Sequence, residues 1–230
     1  MSGRRYTLKL RAAGRVRVVT SRESRSVLCL LFGTMFVALV CILTLHGAHS
    51  ACVPVNVCPE NASVQGVIVD VHNAFRRAVE PAAADMLMMS YSEELAVTAQ
   101  AWVDKCVLDH GPPSSRMLNG YELGENLFYS TSPNSWTSVI KAWYQEVSHF
   151  TFPNASTNGK PIGHYTQVVW NSSYKVGCGV TLCPNNIYLY GCHYYRAGNF
   201  KRWPPYKVGT PCASCPTTAR TNSAQTPVLI

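Results

Sequence analysis

The residues of this sequence best suited to chemistry are histidines and carboxylates in unusual local settings. Glu146 falls three residues after Trp143 and seven after Val139, on the apolar side of an expected helix. A carboxylate there is costly unless it is paired or hydrogen-bonded. His164 lies in GHYTQVVW (Gly163 to Trp170), Glu125 is wedged between Gly124 and Asn126, and His110 stands just before Gly111-Pro112-Pro113. Two imidazoles can coordinate a divalent cation such as zinc and leave open positions for water. Carboxylates can orient imidazoles from behind, act on a bound water, or share in general acid–base chemistry. The sequence contains neither GxSxG nor HExxH, so no nucleophile or metalloprotease motif accompanies these groups. His72 within a helix, His149 near a helix end and His193 in a strand beside Cys192 have no metal-ligand spacing to one another and read as structural.

The elements that must position these groups follow from periodicity. Ile68, Val71, Phe75 and Ala78 recur at helical spacing over Val67 to Val79, with Asp70, Asn73, Arg76 and Arg77 on the other faces and Pro81 as a stop. A second helix starts after Ser92 as N-cap, with Glu93 and Glu94 complementing its dipole. It is expected to bury Leu95, Ala99, Trp102, Val103 and Cys106. Residues 111–123 read as loop and Gly124 to Ser130 as a short strand or turn. A third helix is expected from Trp136 to Phe150, with Val139, Ala142, Trp143 and Val147 as its apolar face. Asn154 to Gly163 reads as a polar loop. Tyr174 to Leu182 and Ile187 to Tyr194, separated by a Pro-Asn-Asn turn, read as a β-hairpin. Helices with a hairpin near the end predict an α+β fold. Trp102, Trp143, Tyr165 and Trp170 are assigned to the core.

The formal charge of +8 is concentrated in the first segment. Residues 1–50 hold eight Lys/Arg against one acid, Glu23, whereas the remainder holds twelve against eleven. The remainder has no basic surface of the kind that neutralises phosphates, so nucleic acid is not an expected partner. An apolar run from Val27 to Leu45 ends in HGAHSAC, and cleavage after Ser50 is the favoured reading. Initiation at Met35 would leave a compact leader. An uncleaved anchor is the alternative, and only then would the membrane be a partner. Apart from Cys29 and Cys41 in the leader, eight cysteines remain: Cys52, Cys58, Cys106, Cys178, Cys183, Cys192, Cys212 and Cys215. An even number in a secreted chain indicates disulfides rather than zinc ligands. Asn61, Asn154 and Asn171 each begin an Asn-x-Ser sequon and are candidate glycan sites. The boundaries expected are a leader at 1–50, a cysteine-containing segment at 51–65, a main domain at 66–203 and a tail at 204–230.

Several blocks occur together in order: HNAFRR (72–77), CVLDH (106–110), GENLFYS (124–130), WYQEV (143–147), GHYTQVVW (163–170) and YGCHYYRAGNF (190–200). From about Val67 to Pro216 the chain resembles the CAP superfamily of cysteine-rich secretory proteins, wasp-venom antigen 5 and plant pathogenesis-related proteins. The resemblance implies a three-layer α/β/α sandwich and disulfides Cys106–Cys183 and Cys178–Cys192. It also implies a cleft in which His110 and His164 can hold a cation, with Glu125 and Glu146 behind them. Leu123 and Tyr195 stand where the cysteine-rich secretory subfamily usually has two further cysteines, so one bridge is absent as a pair. GTPCASCP (209–216) resembles the start of that subfamily's hinge. The chain then continues through a polar, cysteine-free stretch that reads as disordered, without the domain to which channel block would be assigned. Pairing among Cys52, Cys58, Cys212 and Cys215 stays open.

Three functions are compatible with these readings. The first is a secreted, non-enzymatic binding protein that engages a cell-surface or other extracellular protein, sperm interaction being one type that the resemblance suggests. The second is an extracellular sterol or lipid carrier, for which Met86, Leu87, Met88 and Met89 could contribute an adaptable apolar groove. The third is a metal-dependent hydrolase.

Overall fold

The computed structural model describes residues 57–211, 213 and 214. The readings made on the leader, on Cys52, Cys212 and Cys215, and on the final stretch lie outside the described residues.

Helix α1 spans Ala62–Arg77. It starts at Ala62 rather than Val67 because Asn61 acts as N-cap, its side chain accepting from the Ser63 amide at 2.9 Å. It ends at Arg77, well before Pro81. The expected division of its faces fails at three positions: Asn73 and Arg76 are buried rather than solvated, and Ala78, at the C-cap, is exposed. Strand β1 (Ser90–Tyr91) leads into α2 (Glu93–Val103), which is capped by Ser92 and buries Leu95, Ala99, Trp102 and Val103 as the spacing predicts. Cys106 differs from expectation, lying beyond the helix with a positive φ of 54° and only partly buried.

Residues 111–123 are more ordered than a loop. They form a 3-10 turn (Pro113–Ser115) and a small ribbon of β2 (Met117–Leu118) and β3 (Tyr121–Glu122). Asn119 and Gly120 turn the ribbon in the left-handed region, as a tight hairpin turn requires. Strand β4 (Gly124–Ser130) follows. Helix α3 covers only Trp136–Tyr144, and the chain then tightens into a 3-10 turn at Gln145–His149. Its buried face is Trp136, Val139, Ile140 and Trp143, while Ala142 and Val147 are only partly buried. The tightening changes the periodicity from 3.6 to 3 residues per turn and redirects Glu146. Short strands β5 (Phe150–Thr151), where the third helix was expected to end, and β6 (Ala155–Ser156), within the expected loop, pair with each other. GHYTQV forms helix α4 (Gly163–Val168), and the hairpin is β7 (Lys175–Leu182) with β8 (Tyr188–Tyr195).

The main sheet has the order β1-β7-β8-β4, parallel between β1 and β7 and antiparallel elsewhere. Its two faces follow the two-residue period of a strand. Val176, Cys178, Val180, Tyr190, Cys192 and Tyr194 join the core shared with α1, α3 and α4. On the opposite face, Gly177 and Gly179 lie against α2 so closely that a side chain at either would run into the backbone around Ala96 or Gln100. The result is the α+β, three-layer α/β/α arrangement. Cys178 and Cys192 face each other directly in the β7–β8 register and are bonded, and Cys106 is bonded to Cys183 across 77 residues of sequence. Cys58 is also disulfide-bonded. Leu123, at one of the two positions without the usual cysteine, is fully buried.

Candidate functional site

Strand β4 divides the site. Successive side chains of a strand point to opposite faces, so Glu125 and Asn126 serve different halves. Glu125 turns toward the α2 side. Its Oε1 accepts from His110 Nδ1 at 2.7 Å and from the Gly111 amide at 3.0 Å, and its Oε2 accepts from His193 Nε2 at 3.1 Å. The side chain is 1% exposed. Burial opposes its ionised form, yet the hydrogen bonds from His110, His193 and Gly111 outweigh burial and hold its pKa down to about 2. The same contact acts on the partner: the hydrogen bond to Glu125, against partial burial, raises the His110 pKa.

Asn126 turns the other way and donates to the backbone carbonyl of His164 at 3.1 Å. Here the second carboxylate enters. The 3-10 turn after α3 aims Glu146 at the start of α4, where Oε2 accepts from the His164 and Tyr165 amides at 2.8 and 3.1 Å. Oε1 accepts from His164 Nδ1 at 2.8 Å. Burial opposes ionisation of Glu146, and the bonds from the His164 ring and the Tyr165 amide prevail and lower its pKa. The costly carboxylate of the sequence is thus fully partnered.

Both cleft imidazoles are therefore held in one tautomer, with Nδ1–H donated to a carboxylate and Nε2 left as a bare lone pair. Among the described residues neither Nε2 has a hydrogen-bond partner. The rings stand 6.3 Å apart between centroids and are tilted by 35°. Trp143 stacks on the His164 ring at 6.4 Å and is itself fixed by its Nε1–H bond to the Leu127 carbonyl. The His110 and His164 side chains are 55% and 32% exposed, so the pair opens to solvent. An imidazole whose far nitrogen is held by a carboxylate is the usual arrangement of a metal-binding histidine. Among the described residues, however, no group of three or more His, Cys, Asp or Glu side chains converges on a metal position. The donor set fits a weak two-imidazole cation site completed by water, and neither a four-ligand structural zinc nor a three-ligand catalytic one.

A family model described as the cysteine-rich secretory protein family, CAP, matches residues 69–195. The chain belongs to this CAP family. Cysteine-rich secretory protein 2 of Cavia porcellus is 45% identical over 161 residues, covering 67% of this chain and 66% of that protein, so the chain spans about two thirds of that relative's length. Among solved structures, Na-ASP-1 superposes with a TM-score of 0.61 at 29% identity over 75% of this chain and 49% of its own. NaASP2 with Zn2+ superposes with a TM-score of 0.57 at 31% identity, over 69% of this chain and 94% of its own.

Within this CAP domain the sequence reading missed one member of the site. His193 is not an ordinary strand residue. It lies opposite Glu125 in the β4–β8 register, is 1% exposed, and bridges Glu125 to the Thr98 hydroxyl, which is 2.8 Å from its Nδ1. The order hydroxyl, imidazole, carboxylate resembles a hydrolytic triad only on paper. The Thr98 hydroxyl lies 2.8 Å from both the Leu95 carbonyl and His193 Nδ1, and His193 is 1% exposed, out of reach of a substrate. His72 is a core histidine whose Nδ1–H donates to the Ile68 carbonyl and whose Nε2 accepts from the Tyr194 hydroxyl. His149 lies near Asn158 at the β5–β6 ribbon, away from both groups. Trp102, Trp143, Tyr165 and Trp170 are all buried, as expected of core residues. Met86 and Met89 also belong to the core, at 1% and 2% exposure, so the run that could have lined an apolar groove is largely filled structure. Of the sequons, Asn61 is exposed, while Asn154 and Asn171 are half-buried, with amides donating to the Trp203 carbonyl and the Asp85 carboxylate.

Proposed function

We propose that this CAP-domain protein is an extracellular binding factor that captures a divalent cation, zinc foremost, on His110 and His164 and engages another protein without catalysis. The observation that carries the reading is the pair of bonds from Nδ1 to carboxylate, which leaves a bare Nε2 on each of two solvent-exposed rings 6.3 Å apart. A bound cation would supply positive charge and vacant coordination positions for a partner's carboxylate or carbonyl. That a relative of 31% identity has been solved with Zn2+ supports a zinc-binding reading, and relatives named as secretory proteins support an extracellular one. Against hydrolysis stand the burial of His193, at 1% exposure, and the oxidised state of Cys58, Cys106, Cys178, Cys183 and Cys192.

Zinc titration calorimetry on the secreted chain tests this. Saturable binding is expected in wild type and lost in the His110→Ala/His164→Ala double variant. Equal heats in both would contradict the site. With the cation site confirmed, zinc-dependent retention of a cell-surface protein is the next expected result, and zinc-independent retention would separate partner binding from the cleft.

A further inference from the structure

Away from the cleft lies a cavity of about 1040 Å³ whose wall includes five aromatic side chains, Phe152, Trp170, Phe200, Trp203 and Tyr206. Phe200 packs edge-on against Trp170 at 6.0 Å, and Phe152 leans on Tyr206 at 5.4 Å. Its rim is strongly exposed, with Phe200 at 57%, Trp203 at 66% and Val208 at 44%. A cluster of this kind on a soluble domain calls for a cover, because contiguous apolar surface marks an interaction site or an aggregation hazard.

Two of the chain's three sequons lie at this cavity. Asn171 is itself part of the wall, and the Asn154 amide donates to the backbone carbonyl of Trp203. The third, Asn61, sits at the start of α1, bonded to Ser63 and outside the cavity.

We propose that the cavity is a shelf for the chain's own N-linked glycan, carried on Asn171, whose first sugars lie over Trp203 and Phe200. The modification is the ordinary transfer from a polyprenyl-diphosphate oligosaccharide. The sugar C1–O bond to the diphosphate breaks, a C1–Nδ2 bond forms, one amide proton leaves and polyprenyl diphosphate is released. An asparagine amide carries two N–H groups, so the remaining one keeps the 2.7 Å bond to Asp85 Oδ2. That bond fixes the direction of the side chain. Asp85 is in turn held by the Lys207 backbone amide at 2.9 Å, so the attachment point is anchored to the cavity's far rim. A pyranose has an apolar face of C–H groups that suits an aromatic ring, and hydroxyls at its edge that suit the side chains of Lys201 and Lys207 on the same wall. A bulky, solubilising modification placed here covers the patch without a protein partner.

The inference rests on the secretory reading above, and its test separates the two. The full chain is expressed in cultured mammalian cells, and glycan occupancy at each sequon is read by mass spectrometry of peptides. Binding of the apolar dye anilinonaphthalene sulfonate is then compared between wild type, Asn171→Gln, Asn154→Gln and Asn61→Gln. Expected are an occupied Asn171, and dye fluorescence several-fold higher in Asn171→Gln with no change in Asn61→Gln. Trimming wild type to one sugar per site should preserve most of the protection, and complete enzymatic removal from the folded protein should abolish it. That last comparison holds even if Asn171→Gln fails to fold. Secreted protein with a bare Asn171 overturns the proposal alone, as does dye binding that rises only in Asn154→Gln or is indifferent to glycan removal. A chain retained inside the cell with all three sequons bare overturns the secretory reading as well.

Discussion

Two histidine networks in this molecule use the same chemistry to opposite ends. On α1, His72, Asn73 and Arg76 are buried and each of their polar side-chain atoms has a protein partner. The His72 ring bridges Ile68 and Tyr194, the Asn73 side chain receives from the Met89 amide and donates to its carbonyl, and Arg76 donates to the carbonyls of Leu87, Val168, Trp170, Asn171 and Ser173. In the cleft, carboxylates close one side of each imidazole and leave the other side open. A polar cluster with no valence left over holds chain segments together, whereas one with free lone pairs aimed at solvent can bind something. The difference lies in the unused atoms and not in residue type.

The largest effect separating the two networks is expected on α1. Arg76→Met removes a buried cation and strands the carbonyls it serves, at a cost of about 3–5 kcal/mol. Thermal unfolding should show a fall in Tm on the order of 10 °C. The neighbouring Arg77→Ala, on the exposed side of the helix, should change stability by no more than about 0.5 kcal/mol. Equal effects at the two positions would erase the distinction.

The second expectation concerns acid. Burial pushes the His72 pKa down to about 4. The unfolded chain takes up this proton near pH 6.5 and the folded chain does not, so stability is lost as pH falls from 6.5 toward 4, by about 3 kcal/mol. Denaturant titrations at pH 7 and 4.5 should show the loss, and His72→Asn should flatten it.

Next in size is Glu125→Gln, expected to cost about 1–3 kcal/mol because a buried acceptor of three hydrogen bonds loses its charge. Glu125 has a depressed pKa, so its contribution is present above the unfolded value and fades as pH falls toward about 2. In the same variant the raised pKa of His110 should drop back, as followed by NMR titration.

The smallest effect should be the dependence of zinc binding on pH. Metal needs the neutral imidazole, so affinity should weaken as pH falls through the raised His110 pKa. The stabilising bond from protonated His110 runs the other way, present at low pH and lost as pH rises through that value. Calorimetry at three pH values checks the trend, and pH-independent affinity would remove His110 from the site.

Much of this contrast was legible in the sequence, though unevenly. Helix α2, its Ser92 cap and the β7–β8 hairpin follow directly from local pattern. The two cleft histidines and two glutamates were legible through their motif blocks. Asn73 and Arg76 were misread because helical spacing assigns polar residues to solvent, and their partners, around Leu87 and Val168–Ser173, come from remote segments. His193 was missed for a similar reason: its tie to Glu125 is a cross-strand register, which local sequence does not encode. Glu146 was rightly singled out as needing partners. The helix expected to carry it ends early, and only that change of period brings it to α4.

Proton–nitrogen correlation NMR of the histidine side chains would test the open valence of the cleft most directly. In their neutral forms, His110 and His164 are predicted to be Nδ1–H tautomers, with zinc shifting the Nε2 resonances of these two rings and leaving His72 and His193 unmoved. An Nε2–H tautomer at either cleft ring, or zinc that perturbs neither, would contradict it.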